Sequence, residues 1–179
     1  MDKEIVANFE NLYSSYKRVK ADKKFNSGTA RFSIMALEGI QTLKEQLENQ
    51  TYSIAPYNKF KIYEPKERII ESCSFKDKTV QRCFSDYILT PKLNNIFIKW
   101  NTAGQIGKGH YMAMDGLRDH MLEFYSKNGL NGWIVKCDIR KYFYSIDHEI
   151  MKDVVDYYFD EEIKLIRNTL YCYCIRWIK

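Results

Sequence analysis

An α+β fold in which helices outnumber strands is predicted by three features of the 179-residue sequence. Apolar residues recur at helical spacing along most of the chain. Two short extended runs flank Pro65 and read as a hairpin. A further apolar run, Trp133–Asp138, alternates too little for a surface strand and reads as a buried one.

The elements follow in order. Ile5, Phe9, Leu12, Tyr13 and Tyr16 share one face of a helix over residues 3–20, and the basic run Lys17–Lys24 closes it. Asn26, Ser27 and Gly28 form a loop. A second helix over 30–49 carries Ile34, Leu37, Ile40, Leu43 and Leu47. Tyr57–Tyr63 and Arg68–Cys73 are the two strands, separated at Pro65. Asp77 is placed to cap a helix from Lys78 to Leu89, and Pro91 fits the first turn of a short helix. Gly104, Gly107 and Gly109 make a loop that opens a helix reaching Lys127. Asn128-Gly129 and Asn131-Gly132 mark a turn before the strand Trp133–Asp138. Asp147 caps a helix from His148 to Tyr158, and a last helix fills 161–176.

Composition narrows the function classes. Hydrophobic residues make up 45% and charged residues 28%, which suits a soluble protein with its own core. No run approaches the roughly 18 apolar residues of a membrane helix, and the N-terminus lacks a signal-peptide apolar region. A cytoplasmic location without membrane partners is expected. Five cysteines (Cys73, Cys83, Cys137, Cys172 and Cys174) form no C-x-x-C pair, and His110, His120 and His148 complete no zinc spacing, so buried small side chains are expected. Net charge is +5, and the excess is confined to the first hundred residues. Residues 1–60 carry nine Lys/Arg against seven Asp/Glu, and residues 61–100 carry eight against five. A positive face there suits a polyanion, as well as an ordinary solvated surface.

Three segments carry candidate chemistry. In Trp133–His148 (WIVKCDIRKYFYSIDH), an apolar strand runs into Asp138. A carboxylate at a buried strand end is costly unless paired. A divalent cation such as Mg²⁺ offsets that cost, and so does pairing with Arg140 or Lys141. In Tyr63–Phe84, Lys66 and Arg68 lie on the hairpin. Arg68 offers a planar, permanently charged fork for phosphate, whereas both residues also suit an exposed hairpin as solvated charges. In Asn101–Met121, glycines permit close backbone approach at a helix N-terminus. This is no Walker A loop: two residues, not four, separate Gly104 from Gly107-Lys108, and Gly109 stands where Ser/Thr is required.

In this order and spacing the three segments resemble the opening motifs of reverse transcriptases, especially bacterial group II intron, retron and diversity-generating types. The resemblance covers residues 35–160. His110 departs from the Thr or Ser common there. The resemblance implies helix-rich fingers with a β-hairpin, followed by the beginning of a right-hand polymerase palm. Residues 1–50 would be an N-terminal helical segment, 51–130 the fingers and 131–179 a partial palm. It implies that Asp138, with Ile139, holds two Mg²⁺ ions. Lys66 and Arg68 would clamp the nucleotide phosphates, beside the backbone of Ile139, Arg140, Lys141 and Tyr142. Phe143 would be the steric gate against ribonucleotides, and Gly107, Lys108 and Gly109 would contact nucleic acid. The implied partners are an RNA template, a DNA primer and dNTPs.

The family's Tyr-x-Asp-Asp turn is not in these 179 residues. The chain therefore reads as stopping before the remaining carboxylates, inactive alone and prone to self-association through an unfinished palm. Two rivals remain: a non-catalytic nucleic-acid-binding module derived from a polymerase, and another phosphoryl-transfer enzyme using Asp138 alone.

Overall fold

The computed structural model describes residues 2–21, 27–63, 67–140 and 142–158. It is helix-rich, with one two-stranded antiparallel hairpin, and so is an α+β arrangement. The elements are α1 (Asp2–Val6), α2 (Phe9–Ala21), α3 (Ser27–Ile34), α4 (Ala36–Glu48), β1 (Asn58–Ile62), β2 (Arg68–Ser72), α5 (Phe75–Phe84), a π-helical turn (Ser85–Leu89), α6 (Thr90–Leu93), α7 (His110–Asn128), α8 (Tyr142–Ser145) and α9 (His148–Tyr158). The chain divides into two compact units. One takes the elements up to Leu89 together with α8 and α9, and the other is Thr90–Arg140.

The first unit holds the core. Val6, Leu12, Ile40, Leu43, Val80, Phe84 and Ile88 are fully buried, and α2 packs most extensively on α5. Tyr16 of α2, Phe32 of α3 and Phe75 of α5 meet as an aromatic cluster with centroids 5.4–6.0 Å apart. Truncating a side chain as enclosed as Leu12 costs about 2–5 kcal/mol.

Two expected helices are each broken in two. The first breaks at Asn8, whose Oδ1 accepts from the backbone N–H groups of Glu10 and Asn11 at 2.9 and 3.1 Å. That cap starts a new helix, and the Asn11 amide donating to the Ile5 carbonyl at 2.8 Å fixes the corner. The second breaks at Met35, which leaves helical geometry (φ −120°, ψ 41°). This turns Ile34 and Leu37 out to solvent, while Ile40, Leu43 and Leu47 stay in the core.

The hairpin has the expected antiparallel form, with Asn58 opposite Ser72 and Ile62 opposite Arg68. A Lys59–Glu71 ion pair (2.6 Å) bridges the strands. The helix after it starts earlier than expected. Ser74, not Asp77, is the N-cap, and its Oγ accepts from the Asp77 backbone N–H at 3.1 Å. Asp77 instead sits one turn in, fully buried. Past α5, Asp86 Oδ2 receives both Arg18 (2.8 Å) and Arg82 (2.7 Å), tying α2 to the π-helical turn.

In the second unit, Trp100 packs edge-on to His120 (4.8 Å) and covers Gly116, the buried residue of α7. The strand expected at Trp133–Asp138 is not formed: residues 131–139 have no regular structure and are exposed, Trp133 at 97%. A strand needs a neighbour to take its backbone hydrogen bonds, and among the described residues no strand lies against this segment. Asp147 caps α9 as expected, its Oδ1 accepting from Glu149 N–H at 2.8 Å and Ile150 N–H at 3.3 Å. The helix expected over 161–176 lies outside the described residues.

Candidate functional site

The hairpin is positioned from its base. Tyr52 donates its hydroxyl to Asp77 Oδ1 at 2.7 Å, and the Ala55 N–H and the Ser74 hydroxyl reach Oδ2 at 3.3 and 2.6 Å. A buried carboxylate is thus held by three donors drawn from the segment entering β1 and from the start of α5. Burial, and then the Asp77 carboxylate beside it, push the Tyr52 phenol far above its ordinary range. Tyr52 is therefore a neutral donor at every physiological pH. The Lys76 ammonium lies 5.3 Å above the same ring and also donates to Gln46 Oε1 at 3.0 Å. These contacts fix where β1 and β2 leave the helical core.

Of the clamp residues expected on this hairpin, Arg68 has its backbone at the start of β2, opposite Ile62. Lys66 lies outside the described residues. The neighbouring charges Lys59 and Lys61 are each paired, with Glu71 and Glu67, both at 2.6 Å.

The glycine loop and Asp138 belong to the second unit. Gly104 and Gly107 have φ of +70° and +77°, a region that L side chains rarely adopt, and Gly109 is the N-cap of α7. Lys108 is half-buried between them, its N–H on the Gln105 carbonyl at 3.2 Å. Asp138, Ile139 and Arg140 are exposed at the end of the irregular segment. Among the described residues Asp138 makes no ion pair, so the alternative pairing with Arg140 is not formed; Lys141 lies outside them. Tyr142 and the backbone of Phe143 belong to the short helix α8 in the first unit.

Among the described residues no cluster of three or more His, Cys, Asp or Glu comes together, and Asp138 stands as a single exposed carboxylate. Mg²⁺ takes one or two carboxylates together with substrate phosphates, so Asp138 is the described residue that could hold it beside a bound nucleotide. The cysteines divide as well. Cys73 and Cys83 are buried as expected, Cys137 is exposed because its segment is not packed, and Cys172 and Cys174 lie outside the described residues. Burial pushes the Cys83 thiol up to about 12.

No protein-family model matches this chain. No curated protein matches it either.

Reading the sequence missed the Tyr52–Ser74–Asp77 network. Its signal was present as Ser-x-x-Asp ahead of an apolar-periodic run, a variant of the capping box. It also missed a cleft beside α2. No helix among the described residues is long and apolar enough to cross a membrane.

Proposed function

We propose that this chain is the N-terminal portion of an RNA-directed DNA polymerase, carrying its fingers and first palm motif. The complete enzyme adds dNTPs to a primer 3′-hydroxyl against an RNA template. The observation that carries this reading is the order and spacing of three sequence segments: the hairpin with Arg68, the glycine loop at 104–109, and Asp138 followed five residues later by Phe143. The antiparallel hairpin supports it, because its base is fixed on the core by a buried carboxylate while its strands are left to reach a ligand. A guanidinium at the Arg68 position suits two phosphate oxygens at once.

The test is primer extension on an RNA template by the gene product containing this chain, as wild type and as Asp138→Asn. DNA synthesis by the wild type and its loss in the variant support the proposal. Synthesis that survives Asp138→Asn, or none by the wild type, refutes it. The rival reading is a nucleic-acid-binding module without catalysis, in which the chain's aromatic residues, 15% of the sequence, supply stacking surfaces. Binding of an RNA–DNA duplex with no extension would select that reading.

A further inference from the structure

We infer that a cleft between α2 and the α3–α4 corner binds a nucleotide unit, its base against tyrosine and its phosphate between two lysines. The cleft has a volume of about 460 Å³. That falls within the roughly 300–1,000 Å³ of small-ligand pockets. Its walls follow from helical spacing: Tyr13, Tyr16, Lys17 and Lys20 stand at i, i+3, i+4 and i+7 of α2, and Ser33 and Leu37 face them.

Among the described residues the charges in this cleft are held against aromatic rings and are not paired with a carboxylate. Lys17 Nζ lies 4.9 Å from the centroid of the Tyr13 ring, and Lys20 Nζ lies 5.5 Å from that of Tyr16. Lys20 also donates to the Tyr16 hydroxyl at 3.1 Å, and that hydroxyl donates onward to Ser33 Oγ at 3.0 Å. Among the described residues no acidic side chain lines the cleft, and neither lysine makes an ion pair. The nearby arginine of the same helix, Arg18, is by contrast committed to Asp86. Ring-held ammonium groups lose less freedom on meeting an anion than free lysines do.

The rest of the lining decides the ligand class. A bare phosphate would use the lysines and leave without contact the exposed Leu37 and the part of the Tyr13 ring that Phe9, Tyr16 and Lys17 do not cover. An apolar ligand would leave two unneutralised charges in its pocket. A nucleotide uses both halves, since every base has a face to stack and every phosphate an anion to pair. The source of the nucleotide is either a free mononucleotide or a single-stranded nucleic acid. The inference is independent of the polymerase proposal, which rests on other residues.

The test uses the full 179-residue chain and fluorescence anisotropy with a labelled twelve-nucleotide oligouridine. Lys17→Gln/Lys20→Gln is compared with Lys127→Gln/Lys152→Gln, which removes the same charge from α7 and α9. The cleft variant is expected to bind at least tenfold more weakly, and the control within twofold of wild type. Each lost phosphate contact flattens the log K against log salt slope by about 0.7, so the cleft variant should flatten it by about 1.4. Tyr13→Ala should weaken binding severalfold, with Tyr13→Phe close to wild type. Unlabelled uridine monophosphate that displaces the probe identifies a free nucleotide as sufficient. Displacement by unlabelled oligouridine alone identifies the strand, and either result supports the site. Absence of wild-type binding, equal weakening in both double variants, or an unaffected Tyr13→Ala overturns the inference. Circular dichroism of each variant, matched to wild type, removes misfolding as the cause.

Discussion

Replacing Tyr52 by Phe deletes one oxygen atom and tests whether the buried carboxylate holds the hairpin to the core. The ring keeps its place, including its contact with the Lys76 ammonium. What is lost is a 2.7 Å bond to Asp77 Oδ1, an oxygen with no other donor among the described residues. A hydrogen bond to a charged group contributes about 1.5–3 kcal/mol, and leaving the charge buried without its donor moves the cost to the upper part of that range. We expect about 2–3 kcal/mol. For a chain of this size each kcal/mol lowers Tm by about 2–4 °C, so the loss should be about 4–12 °C. Urea unfolding followed by circular dichroism gives the total. Amide exchange at Ala55, whose N–H reaches Asp77 Oδ2, gives the local effect. The double-mutant cycle with Asp77→Asn isolates the pair, because in the Asn background the phenol no longer meets a charge and Tyr52→Phe should cost under about 1 kcal/mol. A Tyr52→Phe change within about 0.5 kcal/mol of wild type, with no coupling in the cycle, would refute the latch.

Stability should fall in alkali. A thiol raised from 9.0 to about 12 in the folded state stabilises fully below pH 9 and loses that contribution as pH rises toward 12, at about 1.4 kcal/mol per pH unit. Tyr52, raised from 10.0, adds to the loss above pH 10, and Cys83→Ala should remove the part that begins at pH 9 in a pH series of urea midpoints. Gly116→Ala should destabilise the second unit by about 1–3 kcal/mol, since the new methyl would enter the space of the Trp100 ring; amide exchange confined to α7 reads this. In a Cys172→Ser/Cys174→Ser background, iodoacetamide should label Cys137 within minutes and leave Cys73 and Cys83 unlabelled, as mass spectrometry would record; protection of Cys137 would mean that its segment is packed. On the proposed polymerase reading, Arg68→Ala in the gene product containing this chain should chiefly raise the apparent KM for dNTP, by the roughly tenfold or more that a lost charge-assisted contact of about 1.5–3 kcal/mol implies, and unchanged steady-state kinetics would remove Arg68 from the proposed clamp.

The parts of the fold that were legible in the sequence are those decided within a few residues. The apolar faces of α2, α4 and α5 could be read because helical periodicity is local, and the hairpin because its two strands are neighbours in sequence. The breaks at Asn8 and Met35 were not read, because periodicity continues across both and only the cap geometry shows the change of direction. From the sequence alone Asp77 competes with Ser74 for the cap, because both residue types cap helices. Choosing between them requires knowing that Tyr52, 25 residues earlier, arrives to donate to the carboxylate. The candidate site divides in the same way. Motif spacing marks Arg68, Gly107 and Asp138, yet Arg68 falls in one compact unit and Gly107 and Asp138 in the other, and nothing in their spacing dictates how those units combine. The segment Trp133–Cys137 shows the limit most directly. Its apolar residues prefer to be covered, and at 97% exposure Trp133 forgoes nearly all of the roughly 1.5–3 kcal/mol that burying a large apolar side chain provides. A strand forms there only when another strand offers both a hydrogen-bonding edge and an apolar face. Whether these five residues are a strand is thus a property of what lies beside them, and a local pattern can state the preference but not supply the neighbour.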